Sequence, residues 1–200
     1  FRIHKNIYDD AMQAIVGYFS RQRCGGSTTG YLAPCHLDDG VRLDNGKYQD
    51  VTGGWHDASD LRKWVGATIY GMIGLARLYE VLLPNWDDGQ VMDELRWGNR
   101  YFLNMQEPAG YVMSHVGGDV LKHGDSNRWT DNIIGDEIGT AETINPLDGG
   151  SSGEITISGT KDDRVIQTRP LDRIGQYCFV IAESSMAYLT KQEDPIYSEK

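Results

Sequence analysis

The 200-residue chain contains no run of about twenty apolar residues, the length a helix needs to cross a bilayer, so no segment reads as a membrane span. Basic side chains are in deficit. The 19 Lys and Arg against 29 Asp and Glu give a formal net charge of −10, and they are scattered singly or in pairs. Binding to nucleic acid or to an anionic membrane needs a local basic patch, which this distribution does not supply. Cysteine is scarce as well: there are three, an odd number, which argues against a disulfide framework and leaves each thiol to be explained separately. There is no internal repeat, low-complexity tract, EF-hand spacing or H-E-x-x-H pair. The chain opens at Phe1-Arg2-Ile3-His4 without Met or a signal peptide, as a mature or trimmed chain would. What is present is 40% hydrophobic residues, enough to build the core of one domain of ordinary size.

Most of the remaining information lies in one stretch, Gly53-Gly54-Trp55-His56-Asp57-Ala58-Ser59-Asp60. Two glycines mark a close backbone passage. Two carboxylates three positions apart then meet the start of an apolar helical pattern at Leu61, Trp64, Val65, Thr68, Ile69, Met72 and Ile73, which puts Asp57 and Asp60 on one side of a first helical turn. Two readings stand: Asp capping the helix N-terminus, or a paired-carboxylate site. A second constellation overlaps the first. Cys24, Cys35, His36 and His56 form a two-thiolate, two-imidazole set, the ligand chemistry that tetrahedral zinc prefers. The spacing is not that of a zinc finger, and adjacent Cys35 and His36 would have to be turned toward one ion by a bend. A Cys24–Cys35 disulfide and incidental buried residues are the alternatives.

Elsewhere the pattern is helical. Residues 6–23 carry Ile7, Ala11, Ala14, Ile15, Tyr18 and Phe19 at helical spacing with Asn6 as cap. Glycine-rich residues 24–46 read as a long irregular loop that something must pin. Residues 57–83 read as a long helix stopped by Pro84, and Asp87-Asp88 introduces another with Val91, Leu95, Gly98, Phe102 and Met105 on one stripe, the two making an antiparallel hairpin. Trp64 and Trp97 are assigned to the core. A further helix opens at Pro170-Leu171-Asp172, with Ile174, Tyr177, Cys178, Ile181, Ala182, Ser185, Met186 and Leu189 inward, and Asp194-Pro195 starts another. Residues 109–170 have little helical periodicity. Alternation in residues 154–158 and 164–168 predicts a small hairpin around Gly159.

The central segment, preceded by Asp50-Val51-Thr52, resembles the D-V-S-G-G-W-[YH]-D-A-G-D motif of family 9 glycoside hydrolases, inverting cellulases built on an (α/α)6 barrel. The resemblance implies Asp60 as general base and Asp57 as the residue that helps hold the attacking water. Ser59 replaces the more usual Gly, and Leu61-Arg62-Lys63-Trp64 departs from the H-V-K-F-like continuation; both departures bear on substrate rather than reaction. Gln22-Arg23-Cys24-Gly25, Pro34-Cys35-His36 and Gly54-Trp55-His56-Asp57 are similar to segments through which some members bind a structural zinc. That implies Cys24, Cys35, His36 and His56 as the ligands of a closed site with no position for a water.

The resemblance runs strongly to about residue 106 and again from 172, weakly between, yet reaches only the N-terminal part of the family's domain. It implies an all-α fold in which residues 1–200 are one truncated domain, an incomplete (α/α)6 toroid with long loops, and a missing C-terminal part that would carry the acid Glu. The expected activity of the intact enzyme is inverting hydrolysis of β-1,4-glucan such as cellulose, with the 200 residues alone inactive. Polysaccharides do not enter cells, so a secreted, periplasmic or cell-surface location is expected. Trp129 is the candidate stacking platform for a pyranose, its alternative being a loop anchor. Asp119, Asp125, Asp131, Asp136 and Glu137 could serve a Ca²⁺, an ion many relatives hold, without assignable ligands. Other classes remain: a relative acting on xyloglucan, mixed-linkage glucan or glucosamine oligomers, a non-catalytic carbohydrate-binding fragment, or a zinc hydrolase, against which the full ligand set weighs.

Overall fold

In a computed structural model, residues 7–31, 34–37, 39–58, 61–82, 89–118, 142–144, 154–157, 164–192 and 194–199 are described. The apolar periods place the main helices among them. Helix α1 (Asp9–Gln22) is followed by a short β1 (Val41–Arg42), β2 (Lys63–Trp64), α2 (Val65–Leu82) and α3 (Gln90–Asn104). Strands β3 (Gln106–Glu107), β4 (Tyr111–Gly118), β5 (Glu142–Ile144), β6 (Glu154–Ile157) and β7 (Arg164–Pro170) lead into α4 (Arg173–Thr190) and α5 (Pro195–Ser198). Asp172 caps α4 by accepting from the Gly175 amide, and Asp194 caps α5 from the Tyr197 amide with Pro195 in the first turn, so both helix starts follow from local sequence.

Helix α2 packs on α3 and α4 and also touches β4. The stripe of α3 is buried as its spacing predicts: Val91, Leu95, Phe102 and Met105 lose all exposure and Gly98 lies among them. They meet Val65, Ile69, Met72 and Leu75 of α2 and Phe179, Ala182 and Met186 of α4 in one cluster, where each fully buried large side chain is worth roughly 1.5–3 kcal/mol. Trp55 enters this core from the loop side. A Cβ at Gly98 would sit 2.0 Å from the Trp55 ring, so only glycine lets the indole lie against α3. Cys178 is buried, as a small hydrophobe should be, whereas Trp64 and Trp97 are only half-buried.

Several expectations need correction. The all-α reading holds only in part, because β1, β7, β4 and β2 form a sheet in that order, with β3 pairing on β4. β1 runs parallel to β7 and the other pairs are antiparallel. The predicted local hairpin does not form: β7 pairs with β4 and β1, and β6 pairs with β5. Alternation identified the strands without naming their partners. The helix read over residues 57–83 begins only at Val65, because Lys63 and Trp64 pair with β4. In α1 the inward residues are Met12, Val16 and Phe19, while Ile15 and Tyr18 face outward. In α4, Ile174, Tyr177 and Ile181 are likewise exposed although Cys178, Ala182 and Met186 are buried. Both helices carry two apolar faces, and spacing alone does not rank one above the other.

Candidate metal centre and carboxylate turn

Two short antiparallel bridges, Arg23 with Trp55 and Gly25 with Cys35, bring the chemistry of the glycine-rich loop together. The amide of Cys24 donates to the Gly54 carbonyl at 2.9 Å and that of His56 to the Gln22 carbonyl at 2.9 Å, so the two side chains lie abreast. The amide of Cys35 donates to the Gly25 carbonyl at 3.1 Å. Gly54 has φ +72°, and a Cβ there would meet the Tyr101 ring at 2.8 Å; the close passage read from Gly53-Gly54 is real. His36 takes φ +47°, the bend that adjacent Cys35 and His36 need to face one point.

All four side chains are buried, and their donor atoms lie within 4.8 Å of one another. Cys24 Sγ to Cys35 Sγ is 3.9 Å, Cys24 Sγ to His36 Nδ1 3.5 Å, Cys35 Sγ to His56 Nε2 3.8 Å, and His56 Nε2 to His36 Nδ1 3.4 Å. A tetrahedral ion with metal–sulfur bonds of about 2.3 Å and metal–nitrogen bonds of about 2.0 Å has edges of about 3.8, 3.5 and 3.3 Å for the sulfur–sulfur, sulfur–nitrogen and nitrogen–nitrogen pairs. The donor set fits such an ion. The sulfur separation does not fit a disulfide, and all three cysteines are free thiols. The hydrogen bond with Cys24 draws the Cys35 thiol down to about 7 against the opposing effect of burial, favouring the thiolate that a metal would take.

Outside the cluster, Arg23 pairs with buried Glu94 at 2.8 Å, and Glu94 also accepts from the Trp55 indole at 3.1 Å, tying the segments that carry Cys24 and His56 to α3. Asp57 follows His56 directly. Its amide donates to the Arg62 carbonyl at 3.1 Å, its carboxylate accepts from the Trp64 amide at 3.4 Å, and it borders a recess of about 180 Å³ with Tyr18, Phe19 and Thr68. Leu61, φ +60°, closes the turn by donating to the Ala58 carbonyl at 3.1 Å. Helix α2 begins only at Val65, so Asp57 does not lie in the first helical turn where the carboxylate pair was expected. Asp60 lies outside the described residues, as do Trp129 and the calcium candidates Asp119, Asp125, Asp131, Asp136 and Glu137.

Asp39, Lys63 and Arg164 were not singled out by sequence. They are fully buried or nearly so, and Lys63 and Arg164 both pair with Asp39. Burial alone would raise the Asp39 carboxyl, yet the Arg164 and Lys63 charges outweigh it and hold it below the usual range. The available signal was a Lys and an Arg set beside apolar strand residues, Trp64 and Val165-Ile166.

The profile of glycosyl hydrolase family 9 matches residues 8–200. This chain belongs to that family. Endoglucanase D of Acetivibrio thermocellus is 32% identical over an alignment of 133 residues that covers 55% of this chain and 21% of that protein. A metagenome-derived family 9 endoglucanase superposes with a TM-score of 0.65 at 22% identity, covering 96% of this chain and 34% of the other. A zinc-binding triple mutant of the family 9 endoglucanase J30 gives a TM-score of 0.64 at 20% identity over 100% of this chain and 36% of the other. The family 9 fold is thus shared across nearly all of these residues, and the chain spans about a fifth of the length of the curated relative it matches.

Proposed function

We propose that the protein carrying this chain hydrolyses β-1,4-glycosidic bonds in cellulose or related β-glucans by a single displacement with inversion. Asp60 acts as general base and Asp57 holds the attacking water. The observation that carries this reading is family 9 membership over a span that includes the two-carboxylate motif, with Asp57 beside a recess and directly after His56 of a buried Cys/His cluster. An inverting glycosidase needs a second carboxyl group about 6.5–9.5 Å from the base to protonate the leaving oxygen. Asp57 and Asp60, three positions apart in one motif, serve one side of the reaction, so the acid comes from another carboxyl, and these 200 residues alone are inactive. The outward apolar faces of α1 and α4 support a closed (α/α)6 toroid in which further helices cover them.

The ion at Cys24, Cys35, His36 and His56 is zinc in this proposal, with a structural role. Four protein donors leave no position for a water, and the site holds the loop that carries Asp57. The location is secreted, periplasmic or cell-surface, to match a polymeric substrate. The test is reducing-sugar release from β-1,4-glucan by the full-length protein and by Asp60→Ala, with the first product's anomer followed by NMR. An inverted product in the wild type and loss of turnover in the variant are expected. Undiminished activity in Asp60→Ala would reduce the pair to a capping feature.

A further inference from the structure

Between the metal cluster and the carboxylate turn lies a second buried assembly. Asp39 Oδ1 accepts from Arg164 Nε at 2.7 Å, and its Oδ2 accepts from a terminal nitrogen of Arg164 at 3.2 Å and lies 2.8 Å from Lys63 Nζ. The remaining donors are directed at backbone. Lys63 Nζ donates to the carbonyls of Val51 at 2.6 Å and Gly53 at 3.1 Å, and the second terminal nitrogen of Arg164 donates to the Leu61 carbonyl at 3.0 Å. Asp39 is also held through its own backbone, donating to the His36 carbonyl at 3.4 Å and accepting from the Val51 amide at 3.0 Å.

These bonds join four chain segments around one carboxylate: the loop after His36, the approach to Gly53, the turn after Asp60, and β7. His36 and Leu61, the two non-glycine residues with positive φ among the described residues, are its endpoints, one accepting from Asp39 and the other from Asp39's partner Arg164. A side chain at positive φ persists only where its surroundings over-determine it. Burying three charges is a poor way to gain stability, since apolar residues of similar volume commonly do as well; such groups are better explained by the register they impose.

We propose that Asp39, Lys63 and Arg164 are positioning residues that tie the Cys/His cluster to Leu61, the residue that follows the general base in sequence. The proposal rests on the reading of Asp60 given above. Arg164 spans Asp39 and Leu61 with a planar fork, a task that a lysine's single ammonium cannot reproduce. Asp39→Glu keeps the charge but displaces the carboxylate by one methylene.

The experiment compares full-length wild type, Arg164→Lys, Asp39→Glu and Asp60→Ala on a soluble β-1,4-glucan, with rates normalised to the zinc-bound, folded fraction. Positioning predicts that Arg164→Lys and Asp39→Glu each lose 10-fold or more in kcat, with KM within twofold of wild type and one zinc retained per chain. Wild-type kcat in both, with Asp60→Ala inactive, overturns the positioning role and leaves the base assignment standing. Failure of both variants to fold or retain zinc makes the triad plain scaffold and also overturns it. Activity surviving in Asp60→Ala overturns the base assignment, and this proposal with it.

Discussion

The helical layer and the loop region between residues 23 and 64 are held by different physics. In the layer, α2, α3 and α4 meet through side chains such as Ile69, Leu95, Phe102 and Met186, whose attraction is non-directional and close to proportional to buried area. In the loop region the contacts are directional: two thiols facing two imidazoles, a carboxylate shared by a guanidinium and an ammonium, and an indole aimed at Glu94. Apolar packing decides that these elements come together. The directional bonds decide where Asp57 and its neighbours sit, which packing alone would leave loose.

The contrast breaks most visibly at the metal ligands. Cys35→Ser removes a thiolate, so the full-length protein should lose its bound metal and melt on the order of 10 °C lower, measured by elemental analysis and calorimetry. Metal content unchanged in this variant would show that the cluster is not a ligand set. Gly98→Ala acts on the other region. Its methyl group would fall 2.0 Å from the Trp55 ring, and overpacking of this kind costs about 1–3 kcal/mol in denaturant unfolding while one metal per chain remains bound. Loss of metal together with stability would mean that the two regions are not separable.

The smallest effect concerns pH. His115 of β4 is buried, stacks on Trp64 with ring centroids 3.8 Å apart, and has Arg62 3.3 Å from its Nε2. Burial first, then the charges of Arg62 and Arg169, lower its pKa to about 3. The unfolded chain therefore takes up a proton that the folded chain refuses. The contribution of His115 to stability is complete above its unfolded value of about 6.5 and is lost progressively as pH falls from there toward 3, by about 2 kcal/mol at pH 5. Comparison of pH–stability curves for wild type and His115→Gln isolates this loss. Parallel curves between pH 7 and 5 would show that the imidazole takes up its proton equally in the folded and the unfolded chain.

The same division explains what could be read from sequence. The helix stripes of α2 and α3 were legible because burial follows a 3.6-residue period. The gathering of Cys24, Cys35, His36 and His56 was legible because few residue types make a soft-metal donor set, and the close passage at Gly53-Gly54 because a Cβ at Gly54 would not fit. The helix start was misplaced because Leu61 and Trp64 happen to keep helical spacing, whereas Lys63 and Arg164 are drawn into an ion cluster with Asp39, a partner far away in the chain. The α1 and α4 faces were misassigned for a related reason: apolar residues on two sides give two valid stripes. The 154–168 hairpin failed because strand alternation carries no information on pairing partner, and β7 found β4 instead.

The most direct test of a closed metal centre bracing the carboxylate turn is X-ray absorption spectroscopy at the zinc edge on the purified full-length protein. The account predicts one zinc per chain with two sulfur ligands at about 2.3 Å, two nitrogen ligands at about 2.0 Å and no oxygen shell. A bound water oxygen, or a coordination sphere without sulfur, would contradict it and turn attention to a catalytic or adventitious metal.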